Sequence, residues 1–147
     1  MNKSKKAPCL LLGTIFTLLA ATSMASGRLV VVEHAVTDTT VPVGGQGDKL
    51  GNLLVFANPV YDAANRARVG RDQGYCIRVA VARSWECFWT LILEDGQITS
   101  EGPYYDRGDS MMAITGGTGR YAGAKGSLKL HARDAKGSSF DFIYEFE

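Results

Sequence analysis

The sequence has 147 residues, of which 46% are hydrophobic and 21% are charged, with 16 Lys and Arg against 15 Asp and Glu. This length fits one domain with a single core. The nearly balanced charge excludes the basic surface that a nucleic-acid-binding protein needs.

Residues 1–25 have the form of a secretory signal peptide. The basic segment MNKSKK precedes an apolar run from about Cys9 to Ala21, and small residues follow at Ser23 and Ala25. A retained membrane anchor is the alternative, but the run is short for a bilayer span and contains Gly and Thr. We expect cleavage after Ala25. This predicts a secreted or periplasmic protein with one domain at 26–147 and no membrane contact after cleavage.

Past the signal, short apolar or alternating runs are divided by Gly, Asn, Asp and Pro, and no window has a sustained helical period. The pattern predicts an all-β fold. Eight antiparallel strands can close into an up-and-down barrel with room for a small ligand, and a β-sandwich is the alternative. The predicted strands are Arg28–Thr37, Asn52–Tyr61, Tyr75–Ala82, Trp85–Leu93, Gln97–Gly102, Ser110–Thr115, Gly126–Arg133 and Ser139–Phe146.

The longest connection, DTTVPVGGQGDKLG at residues 38–51, is expected to form a flap over an opening of the barrel. A second glycine-rich stretch, AITGGTGRYAGAKGSLKL, begins at Ala113. A phosphate-binding loop would lead into a helix, whereas this stretch leads into an alternating strand pattern. We therefore predict a bulged hairpin at the barrel rim, where glycine permits positive φ and close backbone approach.

Two cysteines, Cys76 and Cys87, remain after the signal. In an oxidising compartment they are a candidate disulfide, and they lie on consecutive predicted strands where directly opposed residues can bridge. Two buried free thiols are the alternative. Two cysteines do not make a zinc site alone, and we expect neither a metal nor a cofactor.

Several motifs occur together in one order: GDKLGNLLVFANPVYD, VGRDQGYCIRV and ITSEGPYYDRGDSMMAITGGTGRYAGAKGSLKL. Over residues 33–147 the chain resembles the allene oxide cyclase family, as a secreted, bacterial-type member. The glycine hairpin is also similar to that of plant dirigent proteins, which share the barrel. The resemblance implies a calycin-like eight-stranded barrel, a homotrimer, and an apolar ligand in the lumen. In the family this ligand is an unstable epoxide that ionises and closes to a cyclopentenone.

The same resemblance implies three catalytic residues. Glu33 matches a buried glutamate whose carboxylate offsets cationic charge, Asn58 matches an asparagine that helps to hold a water on the epoxide oxygen, and Tyr104 matches a cavity tyrosine. Four further residues are expected to bind the substrate. The family match indicates Pro42, Cys76 and Trp85, and Trp89 is added because it shares a strand face with Trp85.

Two residues depart from the family at the site that holds a water on the epoxide oxygen, and they weaken the match there. Ala35 replaces a second asparagine and Val41 replaces a serine, so two polar groups of the family are missing. Simpler structural roles also remain open. Glu33 can point to solvent in an alternating strand, and Asn58 can start a bend because it precedes proline. Arg78 shares a face with Cys76, and inside a barrel it needs a partner, for which Glu33 is a candidate.

These observations favour a cyclase-like isomerase that binds a small apolar or amphipathic molecule in the lumen and steers a ring closure. A non-catalytic, lipocalin-like carrier of a hydrophobic metabolite is the first alternative, and a dirigent-like partner of a separate oxidising enzyme is the second. The two histidines after the signal, His34 and His131, are expected at the surface because no nucleophile motif accompanies them.

Overall fold

The computed structural model describes residues 27–147, so the expectations for the signal peptide and its cleavage lie outside the described residues. The described chain forms ten β-strands, numbered in chain order. They are β1 Gly27–His34, β2 Thr39–Val41, β3 Leu53–Phe56, β4 Pro59–Asp62, β5 Arg68–Ala80, β6 Ser84–Leu93, β7 Gly96–Tyr105, β8 Ser110–Gly119, β9 Gly126–Ala132 and β10 Ser139–Phe146.

The strands make a closed, eight-stranded antiparallel barrel, as predicted, and the sandwich alternative is wrong. The hydrogen-bonded order is β2-β3-β5-β4-β1-β10-β9-β8-β7-β6, and β5 also pairs with β6, which closes the sheet. The ten strands form an eight-stranded barrel for two reasons. β3 and β4 lie end to end along β5 and together make one barrel strand, and the short β2 pairs only with β3 and is not part of the barrel wall. The first and last strands pair over their full length, from Gly27 opposite Phe146 to His34 opposite Ser139.

The second predicted strand, Asn52–Tyr61, is broken in the structure. The regular pairing is interrupted at Ala57 and Asn58, just before Pro59, although Asn58 and Asp72 still exchange two backbone hydrogen bonds, of 3.0 and 2.9 Å. Part of the expected flap is also ordered: Thr39–Val41 pairs antiparallel with residues 53–55.

The glycine stretch is a bulged hairpin. The pairing of β7 with β8 shifts register between Thr99 and Ser100, and the turn from β8 to β9 uses positive φ at Gly119 and Gly123. A Cβ on Gly117 would overlap the backbone oxygens of Tyr121 and Gln97, so this position requires glycine.

Alternating side chains fill the lumen. On β10, Phe140, Phe142 and Tyr144 are buried, as the alternation of the last strand predicts. Trp89 on β6 packs edge-on against Phe142 at 5.6 Å between ring centroids. The part of the chain that the structure describes has no helix long and apolar enough to cross a membrane.

Candidate functional site

A narrow cavity lies inside one end of the barrel, among aromatic and acidic side chains. It measures about 10 Å³, which is space for about one water molecule. Aromatic and aliphatic side chains fill the rest of the barrel lumen. The residues that line it are Glu33, Asp38, Leu54, Phe56, Trp89, Tyr104, Leu130 and Phe140.

Three residues separate this cavity from an outer cleft of about 280 Å³. Tyr104, Leu130 and Phe140 line both spaces. The rings of Tyr104 and Phe140 meet edge-on with centroids 6.1 Å apart. We call these two rings the aromatic gate. A ligand larger than a water molecule reaches the cavity from this cleft only if the gate moves.

Asn58 makes most of the polar side-chain contacts beside the cavity. Its side-chain Nδ2 donates to Glu33 Oε1 and to Asp38 Oδ1, both at 2.7 Å. Its Oδ1 accepts from the backbone N–H of Val36 and from the N–H and hydroxyl of Thr37, at 2.9–3.0 Å. Asn58 is fully buried. All its side-chain polar atoms therefore bind protein groups, and they hold the turn after β1 against the glutamate.

Asp72 on β5 is a site residue that the sequence analysis missed. It is fully buried, its Oδ2 accepts from Trp89 Nε1 at 2.7 Å, and its Oδ1 accepts from the backbone N–H of Asn58 at 3.3 Å. The predicted strand began at Tyr75, whereas β5 begins at Arg68. Extending the inward alternation back from Cys76 reaches position 72, so the signal was present in the pattern.

Burial dominates the electrostatics of the two inner carboxyl groups. Desolvation, followed by the negative charge of Asp72, raises the pKa of Glu33 well above its ordinary range. Desolvation also raises the pKa of Asp72, to about 6, although its hydrogen bonds to Glu33, Trp89 and Asn58 oppose the increase. Burial therefore favours the neutral, protonated form of both carboxyl groups.

Tyr104 also stays neutral, because desolvation and then the charge of Asp38 raise its pKa to about 12. Its hydroxyl is therefore a donor at any ordinary pH. The described residues contain no cluster of three or more His, Cys, Asp or Glu side chains arranged to hold a metal ion.

Arg78 does not pair with Glu33, so that candidate pairing is wrong. Its Nη1 contacts both carboxylate oxygens of Asp106 at 2.7 and 2.8 Å, and its Nε lies 2.8 Å from Asp48 Oδ1. The guanidinium also lies over the ring of Trp85, 3.9 Å from its centroid. The charge of the arginine is therefore paired with Asp48 of the flap and with Asp106 after β7, although its Nε makes no well-aligned hydrogen bond.

The structure brings together only some of the predicted site residues. Glu33, Trp89 and Tyr104 line the cavity, whereas Pro42 is exposed and lines a separate cleft by the flap with Trp85. Cys76 is buried directly opposite Cys87, and the two sulfurs are joined in a disulfide. The sulfur of Cys76 is therefore bonded to Cys87 within the barrel wall, and Cys76 has no free thiol to offer a ligand.

The fold and sequence place this chain among known proteins. The family model described as allene oxide cyclase matches residues 30–142. The chain belongs to the allene oxide cyclase family.

Solved structures with the same fold come from proteins of different activities. A pyocyanin demethylase is 23% identical, with a TM-score of 0.67 over 80% of this chain and 100% of that one. A pterocarpan synthase dirigent protein is 17% identical, with a TM-score of 0.67 over 83% of this chain and 93% of its own. The Diels-Alderase AbmU from Streptomyces koyangensis is 13% identical, with a TM-score of 0.62 over 86% and 72%. At these identities the likeness establishes the fold.

Proposed function

We propose that this member of the allene oxide cyclase family binds a small apolar or amphipathic molecule in its lumen and steers a ring closure, as an isomerase. The observation that carries the proposal is the placement of Glu33, buried and held by Asn58, in the wall of an otherwise aromatic cavity. Buried polar groups in an apolar site fix the orientation of a ligand and stabilise developing charge. The shared fold with a Diels-Alderase supports this proposal.

The lumen would promote such a reaction mainly by shape. The rings of Phe56 and Trp89 pack at 4.5 Å between centroids, and Trp89 also contacts Tyr104. A ligand larger than a water molecule would fit only if the gate and neighbouring lumen side chains move, and the aromatic walls would then hold a flexible ligand in its reactive conformation. Positioning of this kind lowers a barrier by removing the entropy cost of orientation.

Native mass spectrometry of the protein purified from its own host compartment tests the proposal and identifies any retained molecule. That molecule is then incubated with the protein without an added oxidant, and the products are compared for the wild type and Glu33→Gln. Glu101→Gln is the matched control, because Glu101 is exposed on β7. We expect ring closure that Glu33→Gln slows and Glu101→Gln leaves unchanged.

A non-catalytic binding barrel is the second candidate. It is favoured by the occupied side chain of Asn58, which offers no free polar atom to hold a water, and by the apolar Ala35 and Val41. Recovery of the retained molecule unchanged after incubation would support this carrier function and contradict the isomerase. A reaction only with an oxidant would point to the dirigent-like function.

The homotrimer and the secreted or periplasmic location are also part of this proposal. The outer face of β5 exposes Tyr75, Ile77 and Val79, next to Val55 of β3, and an apolar surface of this kind suits contact with a second copy. Sedimentation velocity on the wild type and on Ile77→Glu tests it. A wild-type monomer would contradict the trimer.

A further inference from the structure

Glu33 and Asp72 form a buried carboxyl pair without a cation. Glu33 is 2% exposed and Asp72 is 0% exposed, and Asn58 contacts both through its side-chain and backbone N–H groups. No ion pair among residues 27–147 includes either carboxyl group, and the buried Arg78 binds Asp48 and Asp106 instead. Two adjacent carboxylates cannot both remain ionised in such a place.

The other groups facing the pair add no positive charge. Asp38 lies across the Asn58 amide, and Tyr104 closes the cavity from β7. From β10, Tyr144 is fully buried and its hydroxyl makes no hydrogen bond, although the charges of Asp72 and Glu33 act on it. A buried hydroxyl without a partner is costly, by about 1–3 kcal/mol. It is a polar group left available beside the pair.

We propose that Glu33 and Asp72 share a single proton and act as one acid–base group, with Asp72 as the positioning residue that stores a proton for Glu33. The geometry assigns the two roles. Asp72 lies behind the cavity wall, where the N–H groups of Trp89 and Asn58 stabilise its negative charge. Glu33 lines the cavity and therefore presents the neutral acid to a ligand.

The charge of the pair determines the direction of the first proton transfer. If Glu33 gave its proton to a ligand first, two adjacent carboxylates and a cationic ligand would be created in the lumen. In the opposite direction, the proton of Glu33 passes from one of its oxygens to Asp72 as a C–H or O–H bond of the ligand breaks and the ligand's proton binds the other Glu33 oxygen. The electron pair stays on the ligand. The single negative charge then moves from the pair to the ligand, and no further charge is created in the low-dielectric lumen.

The pair therefore fits a ligand with an acidic hydrogen, such as an enol, a phenol or a carbon acid next to a carbonyl group. The anion that forms can close a ring by attacking an electrophilic carbon, and the pair returns the proton to another atom. This ligand class rests on the proposed function. The shared proton itself does not, and it can be tested without a ligand.

The test is a carbon-13 NMR titration of the ligand-free protein with labelled Glu side-chain carboxyl groups, from about pH 4 to about pH 9. Glu33→Gln identifies the Glu33 resonance. We expect this resonance to remain that of a protonated acid at neutral pH in the wild type. In Asp72→Asn its midpoint should fall by about one pH unit or more, because the neighbouring negative charge is gone.

Asp106→Asn is the matched control, because Asp106 also accepts a hydrogen bond from a buried tryptophan, from Trp85 Nε1 at 3.2 Å, but lies outside the pair. Its Glu33 midpoint should equal that of the wild type. An ionised Glu33 at neutral pH, or a midpoint that Asp72→Asn leaves unchanged, would overturn the proposal. If Asp72→Asn does not fold, the indole N–H of Trp89 in the wild type provides the second measurement. A shift of this resonance with a midpoint of about 6 supports the pair, and a flat profile contradicts it.

Discussion

Replacing Gly117 by alanine tests the close approach of backbones in the glycine hairpin. The added Cβ would overlap the carbonyl oxygens of Tyr121 and Gln97, which belong to the backbone and have no rotamer to change. Relief requires β8 to move away from β7 and from the turn at Tyr121, which weakens the pairing of β7 with β8 around Gly117 and Ile98. Overpacking of this kind costs about 1–3 kcal/mol. For a domain of this size that corresponds to a fall in melting temperature of roughly 4–12 °C.

The neighbouring glycine gives a matched control. A Cβ on Gly116 would meet only Thr99 Oγ1, at 3.4 Å, which is an ordinary contact. Gly116→Ala should keep or slightly raise the melting temperature, because alanine restricts the unfolded chain by about 0.4–1 kcal/mol. Thermal unfolding followed by circular dichroism measures both variants. Equal melting temperatures for the two variants would refute the reasoning.

Three further outcomes are expected. Tyr104→Ala should remove half of the aromatic gate and increase the quenching of buried tryptophan fluorescence by acrylamide. Tyr105→Ala, on the exposed face, should leave this quenching unchanged. Equal fluorescence quenching in the two variants would argue against the gate. Mass measurement after alkylation without reductant should show Cys76 and Cys87 unmodified in freshly purified protein, and alkylation of both residues would exclude the disulfide. Folding raises the pKa of Asp72 from 3.8 to about 6, so between these values the folded state binds more protons than the unfolded state. The stability of the wild type relative to Asp72→Asn should therefore decrease as pH rises from about 4 to about 6. Urea unfolding measures this difference in stability, and a difference that stays constant with pH would contradict the reasoning.

The barrel could be predicted because its signals are local. Alternation on the last strand identifies Phe140 and Phe142 as lumen residues. It allows only one of Tyr104 and Tyr105 to face the cavity, and the family resemblance selects Tyr104. The order of the motifs then decides between barrel and sandwich, which alternation alone leaves open.

The chemistry of the site could be predicted only in part, because it depends on contacts between distant strands. Nothing near Glu33 in the sequence indicates that Asp72 raises its pKa, since the two residues meet only when β4 lies between β1 and β5. Likewise, the partners of Arg78 come from the flap and from the end of β7, at Asp48 and Asp106. Such pairings follow from the closed register, which composition and periodicity do not specify.

The pairing of the first strand with the last has a consequence for how the site comes into being during synthesis. Glu33 lies directly opposite Phe140 across the β1–β10 ladder, so the acid and half of the aromatic gate are brought together by the two ends of the domain. Contacts of such long sequence separation form only after a large loop has closed. Until β10 has emerged, the growing chain has the carboxyl group but no lumen to enclose it. Closure of the barrel and burial of Glu33 are therefore a single event, which follows the synthesis of β10.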